Sequence, residues 1–318
     1  RLTTLVTRDH DVPRTDRLNA GFGQTQPANA EFDFALQDRE RVVLAYSDRS
    51  AGLFVDALEA RLSYRYYDEV RHIRATGSST RRVERDTTQS VGLGLDLRQS
   101  LGETQLLTFG FDLDYDDVES RREDVDLGTG VGTPNDGAFA PGSRFFSGGL
   151  FVQDEIASFA PYDVTVGARW STFAFGFDDL ATGSEEGHFD DLSGSFAVAR
   201  ALTDGARLVA TLARGFRAPN LAELARDASF FGGDELHNPE LEPETSLYAE
   251  LACELESAAW HGALAVYRNQ IDDVVGITGD GDDEPKCVGG NNNRLPCGAN
   301  DCPGGTCHGN PGSNGFDG

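Results

Sequence analysis

Four cysteines crowd the end of the chain. Cys287, Cys297, Cys302 and Cys307 follow the spacing C-x9-C-x4-C-x4-C, just after the acidic run Asp280-Gly281-Asp282-Asp283-Glu284. Structural zinc sites pair their thiolates as C-x2-C, and this spacing offers no such pair. In an oxidising exterior four thiols instead form two disulfides, here pinning a long loop, and the three pairings stay open. Cys253 stands apart in a regular segment. Asp280, Asp282, Asp283 and Glu284 supply the oxygen donors that Ca²⁺ prefers, but without the terminal Glu spacing of an EF-hand. The plainer reading of that run is a solvated acidic loop. No G-x-S-x-G, H-E-x-x-H or phosphate-binding loop is present, so no enzyme is expected. Among 53 Asp and Glu residues, paired carboxylates are too common to mark a catalytic site.

The elements that position these groups are strands. Apolar residues recur at every second place: Leu58, Ala60, Leu62, Tyr64 and Tyr66 against Glu59, Arg61, Ser63 and Arg65. The same alternation sets Val91, Leu93, Leu95 and Leu97 against Gly92, Gly94, Asp96 and Arg98. It sets Leu107, Phe109, Phe111, Leu113 and Tyr115 against Thr108, Gly110, Asp112 and Asp114. Further runs follow at 164–171, 247–256 and 260–267. Period two marks strands with two unlike faces. Tight turns are expected at 99–103, 204–205 and 256–259. Long links are expected at 9–38, 121–144, 178–190, 216–245 and 273–318, which are rich in Gly, Asp, Asn and Pro. The strands also look longer than the five or six residues of an ordinary globular strand. Long strands, tight turns at one rim and long loops at the other are the features of an outer-membrane barrel. Its apolar face meets lipid, its charged face lines a wet interior, and aromatics such as Tyr64, Tyr66, Tyr67, Tyr115, Trp170, Phe173 and Trp260 mark the interfaces. A soluble sandwich also alternates, so strand length and rim asymmetry carry the choice.

Composition agrees with that class. The 318 residues are 39% hydrophobic, with 37 Gly and 12 Pro. A soluble enzyme of this size needs roughly 45–50% apolar residues for its core. The net charge of −26, from 27 Lys and Arg against 53 Asp and Glu, sets the chain against nucleic acid. No apolar run approaches the roughly 20 residues of a spanning helix.

One stretch is specific. Residues 213–224 read Ala-Arg-Gly-Phe-Arg-Ala-Pro-Asn-Leu-Ala-Glu-Leu, and 238–246 read Asn-Pro-Glu-Leu-Glu-Pro-Glu-Thr-Ser. The pair resembles the signatures of TonB-dependent outer-membrane receptors. Val12-Pro13-Arg14-Thr15-Asp16, Leu150-Phe151-Val152-Gln153-Asp154-Glu155 and Gly167-Ala168-Arg169-Trp170 are similar to further stretches of that family. The resemblance runs from about residue 1 to residue 275.

It implies an all-β fold: an antiparallel transmembrane β-barrel, incomplete, with ten or eleven strands of a family barrel of about 22. Residues 1–275 are then part of the barrel, and 276–318 are a Gly/Asp/Cys-rich external loop. The plug domain, the segment that engages TonB and the closing strand are expected to lie outside this sequence. The implied function is TonB-dependent active transport of a scarce nutrient complex across the bacterial outer membrane. A ferric siderophore is the first expectation, with haem, cobalamin or a glycan as alternatives. No cofactor is required; haem or a ferric complex would be cargo. The expected partners are the TonB complex, outer-membrane lipid and the nutrient, with no nucleic acid, and the protein is expected to be a monomer. A passive porin and a secreted, acidic Ca²⁺-binding or adhesive β-protein are the rival readings.

Within the signatures, Arg214 and Arg217 suit bidentate bonds to carboxylates. Asn220 and Asn238 suit caps and turns. A short helix is expected over 220–228, with Leu221, Leu224 and Ala225 on one side. His237 lies between the signatures, where haem receptors of the family carry an iron-ligating histidine, and imidazole is a good iron ligand. Two readings stand for Arg214, Arg217, Asn220, His237 and Asn238: contact with the ligand, or shaping of an external loop.

Overall fold

A computed structural model describes residues 1–276 apart from 22–24, 51, 53–54, 180–182, 227, 231–232 and 236–237. Beyond 276 it describes the backbone of 286–288 and 306–308. The chain divides into two compact units, Arg1–Val275 and Gly276–Gly318.

The first unit is built on one antiparallel sheet. Its strands are β1 (Leu2–Pro13), β2 (Asn29–Asp48), β3 (Ala57–Ala75), β4 (Thr80–Ser100), β5 (Gln105–Asp126), β6 (Gly132–Asp136), β7 (Ser143–Ile156), β8 (Tyr162–Asp179), β9 (Gly183–Thr203) and β10 (Ala206–Arg217). A short helix, α1 (Leu221–Ala225), and a small hairpin of β11 (Ala228–Phe230) and β12 (Gly233–Glu235) precede β13 (Glu244–Glu256) and β14 (His261–Asp272). Eleven strands run in the order β1-β2-β3-β4-β5-β7-β8-β9-β10-β13-β14, and β6 pairs with the far end of β5. Each main strand pairs with its chain neighbour, so the sheet is an up-and-down meander. It is open, with β1 and β14 as its edges: an incomplete barrel. In the second unit β15 (Lys286–Val288) pairs antiparallel with β16 (Thr306–His308).

Register turns the alternation into two faces. Leu44, Leu62, Leu93 and Leu113 stand side by side across β2–β5, with Val42, Tyr64, Val91 and Tyr115 in the next matching row. All eight are exposed, Leu44 by 52%. A contiguous apolar surface of this extent marks contact with a membrane or partner. The opposite face carries Arg61, Gly94, Asp112, Gly149, Ser171 and Asp191 in one row. Ion pairs lace this face: Arg61 to Asp96 at 3.0 Å, Arg65 to Asp114 at 2.8 Å, and Arg169 to Asp112 through two bonds of 2.6 and 2.7 Å. Gly149 lets the Arg169 guanidinium cross to Asp112, since a Cβ there would collide with it.

The strands run further than the sequence suggested. β4 has 21 residues and β5 has 22, about twice the 9–11 that cross a bilayer. Beyond Tyr66, Val91 and Tyr115 the apolar face turns polar, with Asp68, Gln89, Arg85, Asp117 and Arg121. The ladder therefore continues past the apolar belt with charges on both faces. This corrects the long loop expected at 178–190, where β8 and β9 leave only 180–182 between them. It also shortens the link expected at 121–144, since β5 reaches Asp126 and β7 starts at Ser143. The link at 9–38 shrinks in the same way, because β1 runs to Pro13 and β2 starts at Asn29. On the same rim β3 and β4 are joined by residues 76–79 alone. Gly, Asp and Glu signal a loop only where a strand needs one apolar face, and these strand ends need none. Two expected interface aromatics also face elsewhere: Tyr67 bonds Glu69 and stacks under Arg39, and Phe173 packs on Phe145 and Phe216.

The tight rim is formed by 101–104, 157–161, 204–205 and 257–260, with the longer link 49–56. No helix among the described residues is long and apolar enough to cross a membrane, which says nothing of strands. The buried apolar cluster lies at the long-link rim: Val118, Phe175, Phe177, Leu221, Leu224 and Ala225, with Phe139, Ala140, Phe145, Phe189 and Leu241 against it. On β8, Phe175 and Phe177 are an odd number of places from the exposed Trp170, so they lie on the charged-face side of the sheet. The loop carrying α1 packs onto that side.

Candidate functional site

The two signatures meet in one clasp. β10 ends at Arg217, whose register partner across the sheet is Glu244, the first residue of β13. Arg217 Nε and Nη2 each donate to a Glu244 oxygen at 2.8 Å. Its remaining nitrogen, Nη1, reaches both oxygens of Glu223 at 3.1 and 3.0 Å. One guanidinium thus holds the end of one strand, the helix at the end of the first signature and the start of the next strand. The planar fork of arginine is what makes two carboxylates reachable from one side chain. Glu244 also accepts the backbone N–H of Val275 at 2.9 Å, which ties in the segment after β14.

Helix α1 forms for local reasons. Pro219, fully buried, cannot continue the β10 ladder because it has no N–H to donate. Asn220 then caps the helix: its Oδ1 accepts from the N–H groups of Ala222 and Glu223 at 2.9 and 3.1 Å. Glu223 Oε2 accepts from the Asn220 N–H at 2.8 Å, which completes a capping box. Leu221, Leu224 and Ala225 turn into the apolar cluster, as expected, although the helix stops at Ala225 with Arg226 already extended. The second signature completes the packing. Leu241 joins the cluster, Asn238 N–H donates to the Glu223 carbonyl at 3.3 Å, and Asn238 Oδ1 accepts from Glu240 N–H at 3.0 Å.

Arg214 is separate from the clasp. It pairs with Asp191 Oδ1 at 2.7 Å and donates to the Leu192 carbonyl at 2.6 Å. The structure therefore brings Arg217, Asn220 and Asn238 together and leaves Arg214 to β9. His237, Asp280, Asp282, Asp283, Glu284, Cys297 and Cys302 lie outside the described residues. Cys287 and Cys307 sit opposite each other in the β15–β16 ladder.

Three features escaped the sequence reading. Glu223 and Glu244 carry the clasp, and the Asn-x-x-Glu spacing of a capping box was the available signal for the first. Phenylalanines of neighbouring strands meet at this rim: Phe145 to Phe173 at 6.1 Å, Phe173 to Phe216 at 5.9 Å, and Phe175 to Phe189 at 5.8 Å between ring centres, with Phe145, Phe175 and Phe189 in the cluster that α1 joins. At the outer ends of β2 and β3, Glu31, Asp33 and His72 bring one ligand atom each within 4.8 Å. That trio can hold a cation chemically, but Glu31 is already engaged by Arg81 at 2.8 Å and Arg74 at 3.4 Å. Two guanidiniums beside the site oppose a second positive charge. On the link after β1, Arg14 grips Asp16 through bonds of 2.9 and 2.7 Å and lies over the rings of Phe32 and Phe34. The hydrogen bonds from Arg14 hold the Asp16 carboxyl at about 2, below its usual 3.8.

Comparison with known proteins fits this architecture. Residues 2–300 match the family model described as TonB dependent receptor-like, beta-barrel. Among solved structures, the copper transporter OprC superposes with a TM-score of 0.66 at 15% identity, covering 77% of this chain and 40% of that one. The unliganded ferric citrate transporter FecA gives 0.60 at 14% identity, over 85% of this chain and 40% of that one. The FrpB iron transporter of Neisseria meningitidis, F3-3 variant, gives 0.59 at 13% identity, over 86% and 42%. The chain thus spans about two fifths of the length of these transporters. No curated protein matches it. The matched span, the meander of long two-faced strands and the paired signatures closing one clasp agree: the chain belongs to the TonB-dependent receptor family, within its β-barrel.

Proposed function

We propose that this chain forms part of the wall and outer rim of an active-transport receptor in the bacterial outer membrane. The receptor takes up a scarce nutrient complex with energy delivered by TonB. The carrying observation is the sheet with an exposed apolar belt on one face and an ion-paired face on the other. Such a wall is stable with lipid on one side and water or a plug on the other. TonB engages the receptor through a part outside this sequence, and the protein acts as a monomer. The rival secreted Ca²⁺-binding protein leaves the apolar belt without a partner.

A ferric siderophore is the cargo this reading favours. Two of the solved structures named above are an iron and a ferric citrate transporter. The acidic balance of the chain favours a cationic or neutral complex over a polyanion. Arg217 and Asn220 are committed to the clasp, which supports a scaffolding role for them. Arg214, Asn238 and His237 stay as candidates for ligand contact, His237 toward haem iron in particular. The run at Asp280, Asp282, Asp283 and Glu284 stays as a candidate Ca²⁺ contact.

The test is uptake by the whole receptor in a Gram-negative host lacking its own receptors. Radiolabelled iron is supplied with siderophores of different chemistry, with and without a functional TonB system. Accumulation that requires both receptor and TonB supports the reading. Uptake that persists without TonB points to the passive porin. Uptake of haem, cobalamin or a glycan alone overturns the siderophore assignment.

A further inference from the structure

The five cysteines divide into one that is free and four whose partners sequence spacing leaves open. Cys253 lies in the middle of β13, opposite Leu208 and Leu264, and is unpaired. The other four fall at 287, 297, 302 and 307. The backbone of β15 and β16 makes an antiparallel ladder in which Lys286 faces His308, Cys287 faces Cys307 and Val288 faces Thr306. Directly opposed residues in such a ladder have Cα atoms roughly 4.5–5.5 Å apart. A disulfide needs Cα atoms about 4.4–6.8 Å apart. The register therefore satisfies the backbone requirement for one pairing out of three.

We propose that Cys287 and Cys307 form a disulfide across the base of this hairpin. Cys297 and Cys302, which fall between these two strands in the sequence, are then left to pair with each other. The outer bond staples the hairpin at its two strands. The inner bond spans four intervening residues in the sequence. Residues 289–305 are rich in Gly and Asn, and a bond between positions 287 and 307 restricts the unfolded chain between them.

The chemistry balances as thiol–disulfide exchange. For each bond a cysteine thiolate attacks a disulfide-bearing oxidoreductase of the compartment outside the cytoplasm, breaking the donor's S–S bond and forming a mixed disulfide. The partner cysteine, as thiolate, displaces the donor's sulfur and forms the protein's own S–S bond. Two protons and two electrons leave the cysteine pair, and the donor becomes a dithiol. The inference goes beyond the uptake reading and rests on it only for the oxidising surroundings.

Peptide mapping of the whole receptor, purified from outer membranes, tests the pairing. Thiols are alkylated in denaturant without reductant, and the protein is cut after Lys286 and Arg294 and before Asp301. The nested pairing predicts alkylation of Cys253 alone among the five. It also predicts one linked species joining peptides 287–294, 295–300 and the peptide that begins at 301. Two separate linked species, 287–294 with 295–300 and a second closed within the last peptide, overturn it. A Cys287→Ser variant distinguishes nested from crossed bonds: the new alkylated thiol appears at Cys307 in the nested pairing. A new thiol at Cys302 overturns the proposal while leaving the oxidising exterior intact. Alkylation of all five cysteines in protein recovered from the outer membrane also overturns it, and leaves the membrane location standing.

Discussion

Arg217 binds carboxylates that stand six and twenty-seven places further along the chain. It is the residue on which the outer-rim loop closes. Each contact is partly exposed, so the individual pairs contribute only weakly. Arg217→Ala is therefore expected to leave the sheet folded and to speed amide exchange in 218–243 by roughly two- to five-fold. Arg217→Lys, which keeps the charge but loses the fork, should fall nearer to the alanine variant than to the native protein. Exchange at wild-type rates in both variants would show that Arg217 does not hold the loop closed. Asn220→Ala should cost about 1 kcal/mol at the helix start, read as faster exchange at Ala222 and Glu223. The Arg14–Asp16 pair gives a pH dependence. Its folded carboxyl titrates at about 2 rather than at 3.8, so the pair's contribution is complete above about pH 3.8 and fades as pH falls toward 2. Proteolysis of the 14–28 link by an acid-active protease should rise across that window. In Asp16→Asn it should already be high and flat. At this scale the sequence showed the residue types and their spacing. It did not show that Arg217 faces Glu244, because that pairing is set by the register of two strands separated by a loop of 26 residues.

At the scale of elements, the alternating faces make opposite demands on substitutions. Leu93 lies in the middle of the apolar belt and Ser63 on the charged face of the neighbouring strand. Leu93→Arg should lower folding stability in bilayers by roughly 2–4 kcal/mol, whereas Ser63→Arg should change it by under about 1 kcal/mol. Equal costs would mean that the two faces are not differently solvated. Two glycines on the charged face separate close approach to backbone from close approach to a side chain. A Cβ at Gly110 would meet the Leu95 carbonyl oxygen, which belongs to the ladder and cannot yield. A Cβ at Gly149 would meet only the far end of Arg169. Gly110→Ala should therefore cost about 1–3 kcal/mol. Gly149→Ala should cost under about 1 kcal/mol and release Arg169 from Asp112. Denaturant midpoints of the refolded receptor check both. The strands themselves were legible, because 58–66, 91–98 and 107–115 alternate cleanly. Their outer ends were not: 183–190 reads as Gly, Ser, Glu and Asp, which marks a loop by composition, yet it is paired strand opposite 172–179.

At the scale of the molecule, the open meander, its polar outer extensions and its packed rim loop form a wall whose two faces require two environments. Paired signatures at 213–224 and 238–246 made the family legible, and the structure explains why both are needed, since each supplies one side of the same clasp. The phenylalanine contacts at this rim were not legible, because Phe145, Phe173, Phe175, Phe189 and Phe216 come from four strands and meet only through the register. Everything rests on the apolar belt facing lipid. The most direct measurement places single nitroxide labels at each position from 88 to 98 of β4 in the whole receptor, with the labelled cysteine the only reactive thiol, reconstituted in bilayers. Collisions with oxygen, which concentrates in lipid, are compared with those of a water-soluble nickel chelate. With the belt against lipid, oxygen maxima fall at 91, 93, 95 and 97, nickel maxima at 92, 94 and 96, and the oxygen signal is lost by 89. Accessibility that rises and falls in phase for both probes, or oxygen maxima at the Gly92, Gly94 and Asp96 positions, would contradict it.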